Sequence, residues 1–121
     1  MEDISSALPR VIAAHVAAYN SHDPDALMAT FASDALVNDI KREFLGHAAI
    51  RAWADKEIFG DNVTLEVQKA YEQHGDFILH CRVSGDYDKT NLPDPLILTY
   101  YFGVRNDRIT LLIIIHNAIV A

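Results

Sequence analysis

The stretch LILTYYFGVRNDRITLLIII, residues 96–115, decides the fold of this chain. Two apolar runs flank Asn106-Asp107, a pair of residues that tolerates the left-handed backbone of a two-residue hairpin turn. The pattern predicts one strand over Leu96–Val104 and a second strand from Ile109 to about Ile119, paired antiparallel with the first.

The second of these strands is apolar at every position from Leu111 to Ile115. Because side chains alternate between the two faces of a sheet, both faces of this strand are expected to be buried. Helices can cover one face, and a second copy of the sheet is the simplest cover for the other. We therefore predict a homodimer built sheet to sheet; the alternative is a last strand buried wholly within the monomer.

Helix signals fill the first half of the chain and strand signals fill the second, which predicts a single α+β domain over residues 1–121. An apolar stripe from Leu8 to Tyr19 predicts a first helix over residues 7–20, with Ser5 or Ser6 as its cap. Three helices are expected to pack on one face of a strongly curved sheet.

The remaining elements follow from caps and alternation. Asp23-Pro24 predicts the start of a short second helix, which buries Leu27, Met28 and Phe31 and forms a hairpin with the first helix. Strands are predicted over Leu36–Ile40, Val63–Ala70 and Phe77–Asp86. A third helix is predicted between Gly46 and Gly60, with one face formed by Ile50, Trp53, Ala54, Glu57 and Ile58.

Composition limits the partners of the protein. Seventeen acidic residues against ten basic ones give a net charge of −7, which argues against nucleic acid or an anionic membrane and does not favour an anionic substrate. The single cysteine, Cys81, excludes a disulfide framework and a thiolate metal cluster. The acidic start of the chain lacks the pattern of a secretory signal, so we expect a cytoplasmic protein.

The order of a helical hairpin, a short strand, a third helix and a long antiparallel sheet resembles the nuclear transport factor 2-like (NTF2-like) superfamily, in particular its SnoaL-like and ketosteroid isomerase-like branch. The segments that carry the resemblance are YNSHD at 19–23 with Leu27 and Phe31, FASDA at 31–35, GHAAIR at 46–51 and YFGVRNDRI at 101–109. The resemblance covers about the whole chain. It implies a cone-shaped α+β fold with a mixed, mostly antiparallel sheet, a deep apolar pocket and dimerisation through the sheet.

Asp39 is the leading candidate for chemistry. It is predicted to share a strand face with Val37, and a carboxylate among apolar groups gains basicity through desolvation and becomes a competent general base near neutral pH. By resemblance, its strand matches the segment in which ketosteroid isomerases carry their proton-shuttling aspartate. The alternative is a solvated strand-end residue, or an ion pair with the nearby Lys41 or Arg42.

His15 interrupts the apolar stripe of the first helix and is the second catalytic candidate. By resemblance it stands where the isomerases place an oxyanion-stabilising tyrosine, and a histidine can donate the same hydrogen bond. Tyr19, one turn on, can supply a hydroxyl to either group. The alternative for His15 is a core histidine with one satisfied hydrogen bond.

The remaining ligand-binding candidates lie on late strands and among the aromatic residues. The resemblance places the second oxyanion donor of the isomerases nearest Thr99, with Tyr100 or Tyr101 as substitutes, and His80 and His116 are candidate counterparts of the histidines of the dehydratases. Trp53 and Phe59 are expected to form a wall for a planar hydrophobic ligand or, alternatively, part of the core. No spacing of metal ligands and no nucleotide-binding motif occurs, so we predict neither a metal nor another cofactor.

These observations lead to two hypotheses. The first is a small enzyme that moves a proton on a compact hydrophobic carbonyl or hydroxyl compound, as isomerases, dehydratases and cyclases of this fold do. The second is a non-catalytic domain that binds a small hydrophobic molecule or a protein partner. Asp39 is the general base in the first hypothesis and only orients the ligand in the second.

Overall fold

A computed structural model describes residues 2–116 of the chain. The elements in chain order are α1 (Arg10–Asn20), α2 (Pro24–Met28), β1 (Phe31–Asp39), β2 (Arg42–Leu45), α3 (Gly46–Ala54) with a π-helical turn (Asp55–Phe59), β3 (Thr64–Gln73), β4 (Asp76–Ser84), β5 (Leu96–Arg105) and β6 (Arg108–His116). The six strands form one sheet in the order β2-β1-β6-β5-β4-β3. Only the β1–β6 pair is parallel, so the predicted mixed, mostly antiparallel α+β fold is confirmed.

The hairpin between β5 and β6 confirms the two-residue turn predicted from the sequence. Arg105 pairs with Arg108, and both intervening residues are left-handed, with φ of 52° at Asn106 and 60° at Asp107. These are the backbone angles of a type I′ turn, whose twist matches that of the flanking strands. The last part of the predicted second strand, residues 117–119, lies outside the described residues.

The first helix starts later than predicted. It begins at Arg10, and neither Ser5 nor Ser6 caps it; the position before it is held by Pro9, with φ −58° and ψ 154° and no side-chain cap. Proline disfavours helical backbone at the residue before it, which keeps Leu8 outside the helix. Leu8 still packs against the core.

The second helix starts as predicted and ends earlier. The Asp23 carboxylate accepts a hydrogen bond from the Ala26 N–H at 3.1 Å, and Pro24 takes the first helical position. Leu27 and Met28 are buried in this helix, whereas Phe31 is buried as the first residue of β1. The strand predicted over 36–40 therefore begins five residues earlier.

The strand β2 is absent from the sequence prediction. It pairs antiparallel with β1 after a turn at Ile40 and Lys41, whose φ angles of 50° and 72° are uncommon for such side chains. Neither residue is typical of a tight turn, so the sequence carries no signal for it.

The third helix ends in a π-helical turn in which the Gly60 N–H donates to the Asp55 carbonyl at 2.9 Å. A Cβ at Gly60 would lie 2.5 Å from the Lys56 carbonyl oxygen, so the close approach of backbone here requires glycine. The stop predicted at Gly60 is thus confirmed, together with burial of Ile50, Trp53 and Ile58.

The helices cover the inner face of the sheet, and the outer face of β6 has no cover within residues 2–116. On the inner face Leu112 and Ile114 are buried. On the outer face Leu111 and Ile113 are half-buried and Ile115 is 49% exposed. The homodimer remains a prediction.

No helix in the described part of the chain is long and apolar enough to cross a membrane. The cytoplasmic location also remains a prediction.

Candidate functional site

A cavity of about 150 Å³ lies between the inner face of the sheet, α1 and the α3–π segment. A cavity of this size holds a benzene-sized group, and a larger ligand would extend through its open side. Its lining consists of Tyr19, Asp39, Trp53, Glu57, Ile58, Asp61, Val63, Val83, Tyr87, Leu96, Leu98, Tyr100 and Ile114. Three of the residues predicted from the sequence, Asp39, Tyr19 and Trp53, are therefore brought together, and so is Tyr100, which was named as a substitute for Thr99.

Asp39 ends β1 at the cavity wall, with its side chain only 14% exposed. Its Oδ2 atom accepts a hydrogen bond from the Trp53 indole N–H at 3.0 Å and a second from Arg42 Nη2 at 2.7 Å. Within the described residues, no hydrogen bond reaches Oδ1. The carboxylate is thus fixed through one oxygen while the other remains available to a ligand.

Arg42 and Glu57 extend this arrangement and were not recognised from the sequence as a functional pair. The guanidinium donates to both carboxylate oxygens of Glu57, at 2.7 and 2.8 Å, and the same Nη2 atom bridges to Asp39. This bridge raises the pKa of Arg42, chiefly through the hydrogen bond with Glu57. The π-helical turn supplies Glu57, which the sequence pattern aligns with the apolar face of the third helix, and β2, which the sequence does not predict, supplies Arg42.

Tyr19 and Tyr100 place two phenol hydroxyl groups at the cavity. Both residues line the cavity, and their side chains are almost fully buried. Burial is the largest cause that raises the pKa of each tyrosine above its ordinary value of 10. Both phenols are therefore neutral donors at physiological pH.

Strand register places Asp39 and Tyr100 on one row across the sheet. Asp39 pairs with Ile114 on β6, and Ile114 pairs in turn with Tyr100 on β5. Two inter-strand spacings separate the backbones of the carboxylate and the phenol by roughly 10 Å. Ile114 lies between them in this row and also lines the cavity.

His15 does not face the cavity, contrary to the expectation from the sequence. Its Nδ1 lies 3.0 Å from Thr30 Oγ1, and the Thr30 hydroxyl proton is already donated to the Leu27 carbonyl at 2.7 Å. His15 must therefore donate through Nδ1–H, which leaves Nε2 as a buried acceptor without a partner among the described residues. Burial lowers the pKa of His15 to about 3, so the ring is neutral. These contacts are those of a core histidine.

Three predicted ligand-binding residues lie on the outer face of the sheet. Thr99 and Tyr101 alternate with the cavity-lining Leu98 and Tyr100, and the alternation of a strand directs them away from the cavity. His80 pairs directly with Thr99, and its Nδ1 lies 2.9 Å from the threonine hydroxyl. The Tyr101 hydroxyl donates to Asp76 at 2.8 Å. His116, at the end of β6, pairs with Leu98 and does not line the cavity.

Phe59 also lies outside the cavity lining, where its ring meets His22 with 6.1 Å between centroids. Conversely, Asp61 and Tyr87 line the cavity and were not singled out from the sequence. Both belong to connections between elements, in which no periodicity indicates the direction of a side chain. The Tyr87 hydroxyl donates to the Val83 carbonyl at 3.0 Å, which fixes the ring next to the end of β4.

The site offers acids and phenols, without a metal centre in the described part of the chain. No group of three histidine, cysteine or carboxylate side chains there is arranged to hold a metal ion. Cys81 is buried, and burial raises the pKa of its thiol to about 12, so it is not a nucleophile.

Comparison with known families agrees with the fold. The sequence profile of the SnoaL-like domain family matches residues 12–112, which is most of the chain. The chain belongs to the SnoaL-like domain family. No curated protein sequence matches it.

Solved structures add neighbours of this SnoaL-like domain. A Sinorhizobium meliloti protein provisionally named a polyketide cyclase is 30% identical, with a TM-score of 0.79 over 92% of this chain and 98% of that protein. A Catenulispora acidiphila protein with a ketosteroid isomerase-like fold, in complex with trimethylamine, is 23% identical (TM-score 0.74; 91% and 87% covered). A Mycobacterium tuberculosis protein in complex with estradiol-17β-hemisuccinate is 14% identical (TM-score 0.74; 89% and 92% covered). The resemblance stated from the sequence is confirmed.

Proposed function

We propose that this SnoaL-like domain is an enzyme that moves a proton on a small hydrophobic carbonyl or hydroxyl compound, in an isomerase, dehydratase or cyclase type of reaction. The observation that carries the proposal is that Asp39 and two buried phenols, Tyr19 and Tyr100, line the same cavity. A general base on one side and hydrogen-bond donors on the other are the groups that enolisation of a carbonyl compound requires.

In the proposed reaction, Asp39 takes a proton from the carbon next to the carbonyl group. Negative charge then develops on the carbonyl oxygen, and the phenol O–H groups of Tyr100 and Tyr19 stabilise it. Their raised pKa values keep both groups protonated as donors. In this scheme the two tyrosines, and not His15, stabilise the negative charge on the carbonyl oxygen.

Trp53 and Arg42 are positioning residues in this scheme. Both donate to Oδ2 of Asp39, so Oδ1 is the atom proposed to accept the proton. The positive charge of Arg42 opposes protonation of the base. Glu57 compensates much of that charge through its two-point pairing with the guanidinium.

The test needs no knowledge of the final product. The protein is incubated with a panel of small cyclic ketones in D2O, and deuterium incorporation next to the carbonyl group is followed by NMR. Asp39→Asn is expected to lower the exchange rate by about 10²–10⁴-fold, the usual contribution of a general base. Asp34→Asn is the matched control, since Asp34 lies exposed on the same strand and outside the cavity. Exchange by Asp39→Asn within a few-fold of the parent rate would refute the assignment of the base.

A second candidate function is a ligand-binding domain without chemistry. The 2.7 Å ion pair between Asp39 and Arg42 favours it, because a carboxylate held in this way can orient a ligand without transferring a proton. The ligands of the neighbouring structures, an estradiol ester and trimethylamine, differ widely in size and charge. Under this alternative, Asp39→Asn changes ligand affinity and no compound of the panel exchanges deuterium with the parent protein.

We also propose that the protein is a homodimer through the outer face of the sheet. The uncovered apolar side chains of β6, Leu111, Ile113 and Ile115, support this arrangement. Light scattering at micromolar concentration is expected to give about twice the 13.5 kDa of the chain. Ile113→Glu should give a monomer, whereas Leu45→Glu, at a 69% exposed position on β2, should not. A parent protein that elutes as a monomer would refute the proposal.

A further inference from the structure

The charged side chains that line the cavity are all acidic. Asp39, Glu57 and Asp61 contribute three carboxylates, and no lysine, arginine or histidine of the described chain lines the cavity. Arg42 pairs from outside the lining with the first two of these acids. One cation against three anions leaves the site negative, in line with the net charge of −7 for the whole chain.

Asp61 is the acid without a counter-charge. Within residues 2–116 its carboxylate forms no ion pair and no side-chain hydrogen bond, although the residue is half-buried at the cavity. Its backbone carbonyl accepts a hydrogen bond from the Asp86 N–H at 2.7 Å, which fixes its position beside the cavity. An uncharged ligand would partly desolvate this carboxylate without compensation, whereas a cation would neutralise it.

Aromatic rings form much of the remaining wall. Tyr19, Trp53, Tyr87 and Tyr100 all line the cavity. The electron-rich faces of such rings attract an organic cation, most strongly where water is excluded. Tyr87 already carries the Lys89 ammonium group 5.4 Å from its ring centroid. Trp53 and Tyr100 each stack one ring face on a phenylalanine, Phe44 and Phe102, which leaves their second faces and the Tyr19 ring for a ligand.

An organic cation suits this cavity better than a bare metal ion does. The carboxylates of the described chain do not converge as metal ligands, since no group of three is close enough. A delocalised or alkylated ammonium group needs no convergent ligands and is satisfied by ring faces and one nearby carboxylate. We infer that the cavity binds a small organic ammonium compound, with Asp61 as its counter-ion. This inference deepens the proposed function and rests on it for the chemistry: the substrate would carry a protonated or alkylated amine beside its carbonyl group.

A matched pair of probes tests whether the cavity prefers a cation to an uncharged molecule of the same shape. Choline and 3,3-dimethylbutan-1-ol have the same shape, and only choline is charged. Trp53 is the single tryptophan of the chain, so its fluorescence and its indole N–H resonance report on this cavity alone. Choline is expected to bind at least about tenfold more tightly than the alcohol and to shift the indole resonance.

Asp61→Asn should weaken choline binding by about fivefold or more and leave alcohol binding unchanged. The control is Asp107→Asn, which removes the same charge from an exposed turn outside the cavity. It should alter neither affinity. Equal affinities for both probes, choline binding without a Trp53 response, or an equal effect of both substitutions would overturn the inference.

The two proposals can fail separately. If Asp39→Asn retains deuterium exchange while choline binds through Asp61, the proposed reaction fails and the cation site stands. If only the alcohol binds, the cation site fails and the exchange experiment still decides the reaction.

Discussion

Acid is expected to destabilise this protein through His15. The ring is enclosed in the core, where it donates to Thr30 and where burial lowers its pKa to about 3. In the unfolded chain the pKa returns to about 6.5. As the pH falls below 6.5 the unfolded chain therefore binds a proton that the folded protein does not, and stability decreases until the folded pKa near 3 is reached.

The size of this effect follows from the two pKa values. Each pH unit below the unfolded pKa costs about 1.4 kcal/mol, so His15 lowers the free energy of unfolding by about 2 kcal/mol between pH 7 and pH 5. Because pH 5 lies well above the folded pKa, the unfolded histidine alone sets this figure. A domain of this size is stable by roughly 5–15 kcal/mol, so the loss is measurable.

Urea unfolding at pH 7, 6 and 5 measures the effect in the parent protein and in His15→Asn. The asparagine amide can take over the donation to Thr30 and does not titrate. The five other histidines and all the carboxylates are common to both proteins, so the difference between them isolates His15. The parent is expected to lose about 2 kcal/mol more than the variant between pH 7 and pH 5.

Equal losses in the two proteins would refute the reasoning. The smaller side chain leaves a void in the variant, so an independent measurement on the parent is also needed. NMR titration of the His15 ring in the folded protein supplies it. A ring that gains its proton near pH 6.5 would show that burial does not hold it neutral.

Two further substitutions test the site and the scaffold. Trp53→Phe removes the indole N–H that donates to Asp39 Oδ2, so deuterium exchange on a responsive ketone should slow by about tenfold with little change in KM. Asn20→Ala removes two hydrogen bonds to the backbone of Leu65, at 2.7 and 2.8 Å, and should cost about 2 kcal/mol in urea unfolding.

Each of these substitutions has a neighbour that serves as its control. Phe44→Leu removes the ring that stacks on Trp53 at 5.9 Å but leaves the hydrogen bond to Asp39 intact, so the exchange rate should be retained. Ser21→Ala removes only a weak 3.5 Å contact and should change stability by less than about 0.5 kcal/mol. An Asn20 variant as stable as the Ser21 variant, or a Trp53 variant with the parent exchange rate, would contradict these roles.

The fold was predictable where periodicity and turn chemistry agree. The Asn106-Asp107 turn and the Asp23-Pro24 cap each combine a local signal with a regular element on either side, and both are confirmed. β2 was missed because it is four residues long and follows a turn of Ile40 and Lys41 that lacks the usual turn residues. The first helix begins later than its apolar stripe because Pro9 sets the boundary, while Leu8 continues the apolar pattern outside the helix.

The candidate site was predictable where buried neighbours on the same strand show which of its side chains face the core. Asp39 shares its face with the fully buried Val37, and this identifies its side of β1. On β5, Leu96, Leu98 and Tyr100 form the inner row, so Thr99 and Tyr101 lie on the opposite face of the sheet and cannot line the cavity. Asp61 lies in a connection, where neither strand alternation nor helical period applies, and Arg42 lies on β2, which the sequence does not predict.

The segments that resemble the family and the residues that line the cavity are nearly separate sets. Asn20 ties α1 to the edge strand β3, Asp23 caps α2, and Asn106-Asp107 closes the last hairpin; all belong to the family-like segments and all build the scaffold. Of the thirteen lining residues, only Tyr19 falls within those segments. The positions that carry the family resemblance are therefore mostly different from the positions that line the cavity. This separation explains why the family could be recognised from the sequence although most of the residues that line the cavity lie outside the segments that carry the resemblance. It also implies that the lining can be exchanged while the fold is kept, which is the condition for one fold to serve many substrates.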